Sequence, residues 1–185
     1  MTEQVTTTHL VMNSPATLRP RVPTDQDVEV VLVSPPNPQL NHSLFMEIGT
    51  PFRWHSRLSW EYIDWDRYVN DPSVETWIGL KSGGLFGYFE LQHRVGPTGI
   101  VVTEIMFFGV YASRSGRGFG AHLLTHAVRN AWKIPGTERV YVHTCTSDHP
   151  AALANYTARG FSVERTETET EKIPDADDPI WSSPR

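Results

Sequence analysis

An apolar run ends in glycines, and the period of the sequence changes across them. Residues 105–110 (IMFFGV) are almost continuously apolar, residues 114–120 read RSGRGFG, and Leu123, Leu124, Ala127, Val128 and Ala131 then recur at helical spacing. That order specifies a strand, a tight glycine turn and a helix. The first turn of a helix has unpaired N–H groups and a partial positive charge. Gly116, Gly118 and Gly120 let the backbone curl so that those groups converge on an anion. Arg114 and Arg117 add full charges in a geometry that suits phosphate oxygens. The stretch reads either as a diphosphate cradle or as a tight turn with no ligand. A Walker loop would end in Gly-Lys-Ser/Thr, and here Gly-Ala-His follows. A dinucleotide fingerprint, G-x-G-x-x-G, would open an N-terminal strand–helix unit, and this loop is G-x-G-x-G past the middle of the chain.

The flanking sequence has the punctuation of a mixed sheet. Residues 27–33 (DVEVVLV) read as a strand, broken by Ser34-Pro35-Pro36-Asn37-Pro38, and residues 40–48 as a short helix. Ser59 is the expected N-cap of a helix through Tyr68, stopped by Asn70-Asp71-Pro72. Residues 76–80, 85–92 and 100–110 form an expected meander around the turns at 81–84 and 94–99. After the glycine helix come a strand at 139–145, a helix opened by Pro150 and ending near Gly160, and a last strand at 161–168. The expected class is α/β (α+β) with a mixed sheet. Residues 1–26 read as a flexible N-terminal arm, 27–170 as a single domain and 171–185 as an acidic, Pro-containing, mobile tail.

With 185 residues the chain is long enough for one real core. A net charge of -5 counts against a general nucleic-acid binder. No apolar run approaches the roughly 18 residues of a membrane span, and residues 1–26 lack the apolar stretch of a signal peptide. One cysteine, Cys145, rules out an intramolecular disulfide and fits a reducing cytoplasm. The expected location is therefore cytoplasmic, with no membrane or nucleic-acid partner. Monomer and homodimer both stay open.

The wider stretch resembles the GNAT superfamily of acyl-CoA-dependent N-acetyltransferases. Residues 104–110 (EIMFFGV) are followed by the loop, in which Gly118 and Gly120 match the two small positions of the family's Q/R-x-x-G-x-G/A signature. Ser115 stands where Gln or Arg is usual, and Arg114 or Arg117 is the expected substitute for that charge. Residues 152–161 (ALANYTARGF) are similar to the family's Ala-x-x-x-Tyr-x-x-x-Gly-Phe helix. The resemblance covers roughly residues 74–165 and implies a GNAT fold: a mostly antiparallel mixed sheet, two central parallel strands splayed apart, and flanking helices. It implies acetyl-CoA in the gap, its pantetheine arm on the backbone of Phe108, Gly109 and Val110. The pyrophosphate would sit on Arg114, Ser115, Gly116, Arg117, Gly118, Phe119, Gly120 and Ala121. Ala152 and Tyr156 lie on the second motif, and His149 falls where the family often has an asparagine near the pantetheine.

Moving an acetyl group to an amine requires a base, an oxyanion donor and an acid for the leaving thiolate, because an alkylamine of pKa about 10 is mostly protonated at neutral pH. Glu104, in an apolar strand that should raise its pKa, is the expected base, acting directly or through water, or else a strand-edge carboxylate in an ordinary ion pair. It also matches a glutamate that nuclear histone acetyltransferases of this superfamily use as base. Tyr156 is the expected acid, since a phenol stays protonated at neutral pH. A backbone N–H near residues 108–110 would donate to the oxyanion. Glu90 is the reserve carboxylate and a draw for a cationic amine. Among the aromatics between 52 and 77, Trp54, His55, Arg57 and Trp60 are the candidates for an acceptor pocket. His143, Cys145 and His149 lack the paired cysteines and fourth ligand of a zinc site, so no metal is expected. The function expected is N-acetyl transfer from acetyl-CoA to a primary amine, of a small molecule in the first place. The alternatives are a protein lysine or N-terminus as acceptor, or a non-catalytic acyl-CoA sensor.

Overall fold

The computed structural model describes residues 2–21, 27–96, 98–175 and 177–182. Seven strands form one sheet: β1 (Thr2–Met12), β2 (Val28–Leu32), β3 (Val74–Lys81), β4 (Gly84–Val95), β5 (Val101–Val110), β6 (Thr137–Cys145) and β7 (Ser162–Lys172). Their order across the sheet is β2-β3-β4-β5-β6-β1-β7. Every neighbouring pair is antiparallel except β5 and β6, which run parallel. Among the described residues four α-helices flank the sheet: α1 (Pro38–Gly49), α2 (Tyr62–Val69), α3 (Phe119–Lys133) and α4 (Ala152–Ala158). No helix among the described residues is long and apolar enough to cross a membrane.

β4 divides the molecule into two layers, its alternation interrupted by a bulge at Phe86. Phe86, Phe89 and Leu91 pack beneath Leu123, Leu124, Ala127, Val128 and Ala131 of α3 and Tyr156 of α4. Tyr88 faces the other way, against Leu44 and Ile48 of α1. Asn37 starts α1 by accepting a hydrogen bond from Leu40 N at 3.0 Å, with Pro38 in the first turn. The N-cap of α2 is Glu61, which forms a reciprocal capping box with Asp64, and not Ser59.

Both ends of the chain depart from the sequence reading. Residues 2–12 are no loose arm. They form β1, hydrogen-bonded to β6 on one side and β7 on the other. The remainder of the arm includes residues 1 and 22–26, which lie outside the described residues. The last strand runs on to Lys172, carried by a Thr/Glu alternation whose threonines pair across to β1, as in Thr6–Thr168 at 2.9 Å. Beyond it Ile173 is buried, and Ile180 and Trp181 pack on Phe45, Leu58 and Trp65. Residues 176 and 183–185 of the expected tail are outside the described residues.

On the back of α3 the rings of His122 and His126 meet edge to face, with centroids 4.6 Å apart. Burial first, then His122, Arg129 and Lys133, push His126 down to a pKa of about 4. In the unfolded chain it takes its proton near 6.5. The unfolded state therefore binds more protons between these values, and stability present above pH 6.5 is lost as pH falls towards 4. His126→Gln is expected to flatten that decline. Urea unfolding of both proteins at pH 7 and pH 5 measures it, and parallel losses would refute it.

Candidate active site

β5 and β6 part company midway. Their pairing runs from Val101–Thr137 to Ile105–Val142 and stops, while β5 continues to Val110 and β6 to Cys145. A cavity of about 1070 Å³ opens in the gap. One wall is the far half of β5 (Met106, Phe107, Phe108, Gly109, Val110), whose edge has lost its β6 partner. The other is the turn after β6 (Ser147, Asp148, His149) with Ala152, Asn155 and Tyr156 of α4.

The glycine loop closes one end of this cavity. Gly116 and Gly118 have φ of 74° and 83°, the left-handed region where a side chain is strained. Gly118 is the N-cap of α3, and no side chain caps that helix, so its first N–H groups stay available. Ser115, Gly116, Gly118, Gly120 and Ala121 line the cavity. Ser115 Oγ lies 3.4 Å from His149 Nε2, which fixes His149 over the loop. Arg114, Arg117 and Phe119, expected in the cradle, do not line it. The Arg114 guanidinium lies over Gly84 in the β3–β4 turn, Arg117 is exposed, and Phe119 is buried in a stack on Phe86. Apolar packing takes Phe119 inward, and neither arginine compensates Ser115 from within the cavity.

At the opposite end stand Trp54, His55, Arg57 and Trp60, all lining the cavity as expected, with Ile173 and Glu171 from the C-terminal segment. Trp54 packs at a tilt against Phe107, with ring centroids 4.9 Å apart, and donates from Nε1 to Asp148 Oδ1 at 3.1 Å. Asp148 Oδ2 accepts from Thr144 Oγ1 at 2.8 Å and Cys145 N at 3.1 Å, so one carboxylate ties the end of β6 to Trp54. Gly109 is required beside them: a Cβ there would overlap Ile48 Cγ2.

Glu90 is not available to a substrate. It is fully buried, with Oε1 accepting from Asn41 Nδ2 at 2.8 Å and Oε2 from Arg57 Nη1 and Tyr68 Oη at 2.9 Å. The Arg57 guanidinium lies 3.8 Å from the Tyr68 ring centre and 4.4 Å from those of Trp60 and Phe107. Burial alone would favour losing its proton. Glu90 more than reverses this, and the Arg57 pKa stands above its ordinary value.

Glu104 does not line the main cavity either. It opens into a second cavity of about 560 Å³ with Thr7, His9, Arg94 and Tyr141. There its Oε2 accepts from Arg94 Nη2, and its Oε1 lies 3.4 Å from His143 Nδ1. His143 borders both cavities. The group that meets the main cavity on this side is thus a histidine backed by Glu104, an arrangement that fixes the ring's orientation.

Tyr156 is where the sequence placed it. Its buried ring packs edge-on to Phe108 and Phe161, and it lines the cavity. Among the described residues its hydroxyl has no hydrogen-bond partner. Burial first, then Asp148, raise its pKa far above that of a free phenol, so it holds its proton. Cys145 also lines the cavity, and burial followed by Asp148 pushes its thiol up, away from a nucleophilic thiolate. Asp148, His143 and Ile173 also line the cavity, and motif reading gave none of them a place in it.

The model of the acetyltransferase (GNAT) family matches residues 41–161. The fold is similar to that of a GCN5-related N-acetyltransferase from Kribbella flavida, with a TM-score of 0.64, 16% identity, and 91% of this chain and 59% of that one covered. It is also similar to two aminoglycoside acetyltransferases from uncultured soil metagenomic samples. One gives a TM-score of 0.62 at 15% identity over 73% of this chain and 88% of that one. The other gives 0.60 at 19% over 80% and 98%. The chain thus spans 59% of the Kribbella flavida protein's length. Among curated proteins no sequence matches this one.

Proposed function

The chain belongs to the acetyltransferase (GNAT) family, and from that premise we propose that it transfers an acetyl group from acetyl-CoA to a primary amine of a small molecule. The observation that carries this reading is one continuous cavity joining the open edge of β5, the uncapped glycine turn and the free hydroxyl of Tyr156. The residues fit such a thioester. No atom lies within 4 Å of where a Cβ would stand on Gly116 or Gly118, so the left-handed turn faces open space. The N–H groups of Gly116–Ala121 would hold the pyrophosphate, and the backbone of Phe108–Val110 the pantetheine amides.

Acetyl-CoA supplies an activated acyl group; the protein supplies positions and proton sites. Tyr156 offers a phenolic proton inside the cavity, suited to a departing sulfur. His143, with Nδ1 towards Glu104, presents Nε2 to take the proton of the acceptor ammonium. Glu104 acts at one remove, as a positioning residue. The inert Cys145 supports direct attack by the amine with no acyl-enzyme. A small acceptor is supported by the enclosure of the far end by Trp54, Trp60 and Ile173. Two similar folds being aminoglycoside acetyltransferases agrees with that.

The test is thiol release from acetyl-CoA against alkylamines, arylalkylamines, aminoglycosides and lysine peptides. Turnover is expected with a small-molecule amine. His143→Gln should then lower kcat about a hundredfold with KM for acetyl-CoA unchanged. Binding without turnover across the panel would leave a sensor, and an absence of both thermal stabilisation and turnover would remove the cofactor assignment.

A further inference from the structure

With Glu90 sequestered by Arg57, another carboxylate faces the acceptor end of the main cavity. Glu171, near the end of β7, lines it together with His55 and Ile173. In the strand register Glu171 stands opposite Glu3 of β1. Two carboxylates therefore meet one arginine there. Arg53 Nη1 donates to Glu3 Oε1 at 2.8 Å and Oε2 at 2.9 Å, and its Nη2 donates to Pro174 O at 3.3 Å. Arg53 is thus committed to Glu3. Among the described residues the ion-pair partner of Glu171 is the ring of His55, with Nε2 3.2 Å from Oε2.

That pair is complete only when the ring is protonated. His55 Nδ1 lies 3.0 Å from Arg53 O, and a carbonyl oxygen only accepts, so Nδ1 carries a proton. In the neutral ring Nε2 is then a bare lone pair facing a carboxylate oxygen. Two acceptors oppose each other with no hydrogen between them. An ammonium group fits that gap. It donates to both atoms at once and supplies the positive charge that Glu171 lacks.

We propose that the acceptor is a dication, a chain with an amine at each end, whose second ammonium is received by Glu171 and His55 Nε2. This rests on the acetyl-transfer reading above and narrows its small-molecule amine. The sheet sets the span. His9, opposite His143, and Glu3, opposite Glu171, are six residues apart on β1, about 20 Å at the rise of a strand, and the two side chains cover part of that distance. Between those levels Val5 and Thr7 of β1 line the cavity, and Trp54, Phe107 and Ile173 line it as well. Mostly apolar walls with a proton acceptor at one end and a carboxylate at the other suit a methylene chain charged at both ends.

The test compares tetramethylene-, octamethylene- and dodecamethylenediamine, each with the amino alcohol of the same chain length, at pH 8. Thiol release gives the ratio of kcat/KM within each pair. Calorimetric titration of the full chain, with coenzyme A present, gives the ratio of Kd. The unmodified protein should favour the longer diamines by about tenfold. Glu171→Gln should bring the ratio towards about two, the statistical factor for two equivalent ends, and Glu171→Lys should take it lower still. Glu171 is 32% exposed on an edge strand, so both variants are expected to fold, and thermal melting checks this. A ratio taken within one variant is also insensitive to a general loss of activity. A ratio near two in the unmodified protein, or one that survives Glu171→Gln, overturns the dication assignment while acetyl transfer stands. Turnover of no amine overturns the transfer reading, and the Kd ratio then still decides whether Glu171 selects a dication.

Discussion

Arg57→Met is expected to cost the fold about 3–5 kcal/mol in urea unfolding, the range for breaking a buried ion pair by deleting one partner. Glu90 lies fully buried and would be left with only Asn41 and Tyr68 as partners. The rings of Trp60, Tyr68 and Phe107, which close on the guanidinium, would lose their centre at the same time. The double variant Arg57→Met/Glu90→Gln should recover most of the loss, because the neutral side chain can still accept from Asn41 Nδ2 through its amide oxygen while its NH2 donates to Tyr68 Oη. A single variant that loses less than about 1 kcal/mol would mean that solvent reaches Glu90.

Tyr156→Phe is expected to lower kcat by about a hundredfold or more while leaving the affinity for coenzyme A within about twofold. The ring contacts with Phe108 and Phe161 survive the change, so cavity shape and stability should hold. What is lost is one proton donor with no other partner among the described residues. Its pKa is raised by burial and by Asp148, so the acid form persists well above neutral pH and Tyr156 contributes no alkaline limb to the rate profile. Initial rates from pH 7 to 9.5 measure this. An unchanged kcat would assign the thiolate's proton to solvent.

Backbone-driven features were legible in the sequence. The glycine turn, the helix after it and the Tyr156 helix follow from local chemistry, and each falls where spacing puts it. The failures come from non-local geometry. At β5, pairing with β4 shifts register between Glu90 and Leu91, leaving Met106 as an extra residue. Strict alternation would put Glu104 and Phe108 on one face. Across the bulge, Glu104 shares its face with Phe107, and Phe108 goes to the α3 side. The carboxylate therefore meets His143 and the second cavity, and no period-two reading of residues 104–110 reveals it. The burial of Glu90 has the same origin, since Asn41, Arg57 and Tyr68 reach it from separate elements. Two signals were present and passed over: the β-branched run at residues 5–8 (VTTT) and the Thr/Glu alternation at 164–171, both strand chemistry.

The place of β1 in the sheet bears on how the chain reaches this structure. Its hydrogen bonds join residues 132 and 158 positions apart, as between His9 and Tyr141 and between His9 and Glu167. Contacts of that separation carry the largest loop-closure entropy and form late in a folding reaction. On a ribosome, the meander of β2 to β5 can assemble while residues 2–12 still wait for both of their neighbours to be synthesised. Val5 and Thr7 line the main cavity, and Thr7 and His9 the second. Both cavities are thus completed only when β1 is threaded between β6 and β7, which ties their formation to a late step of assembly.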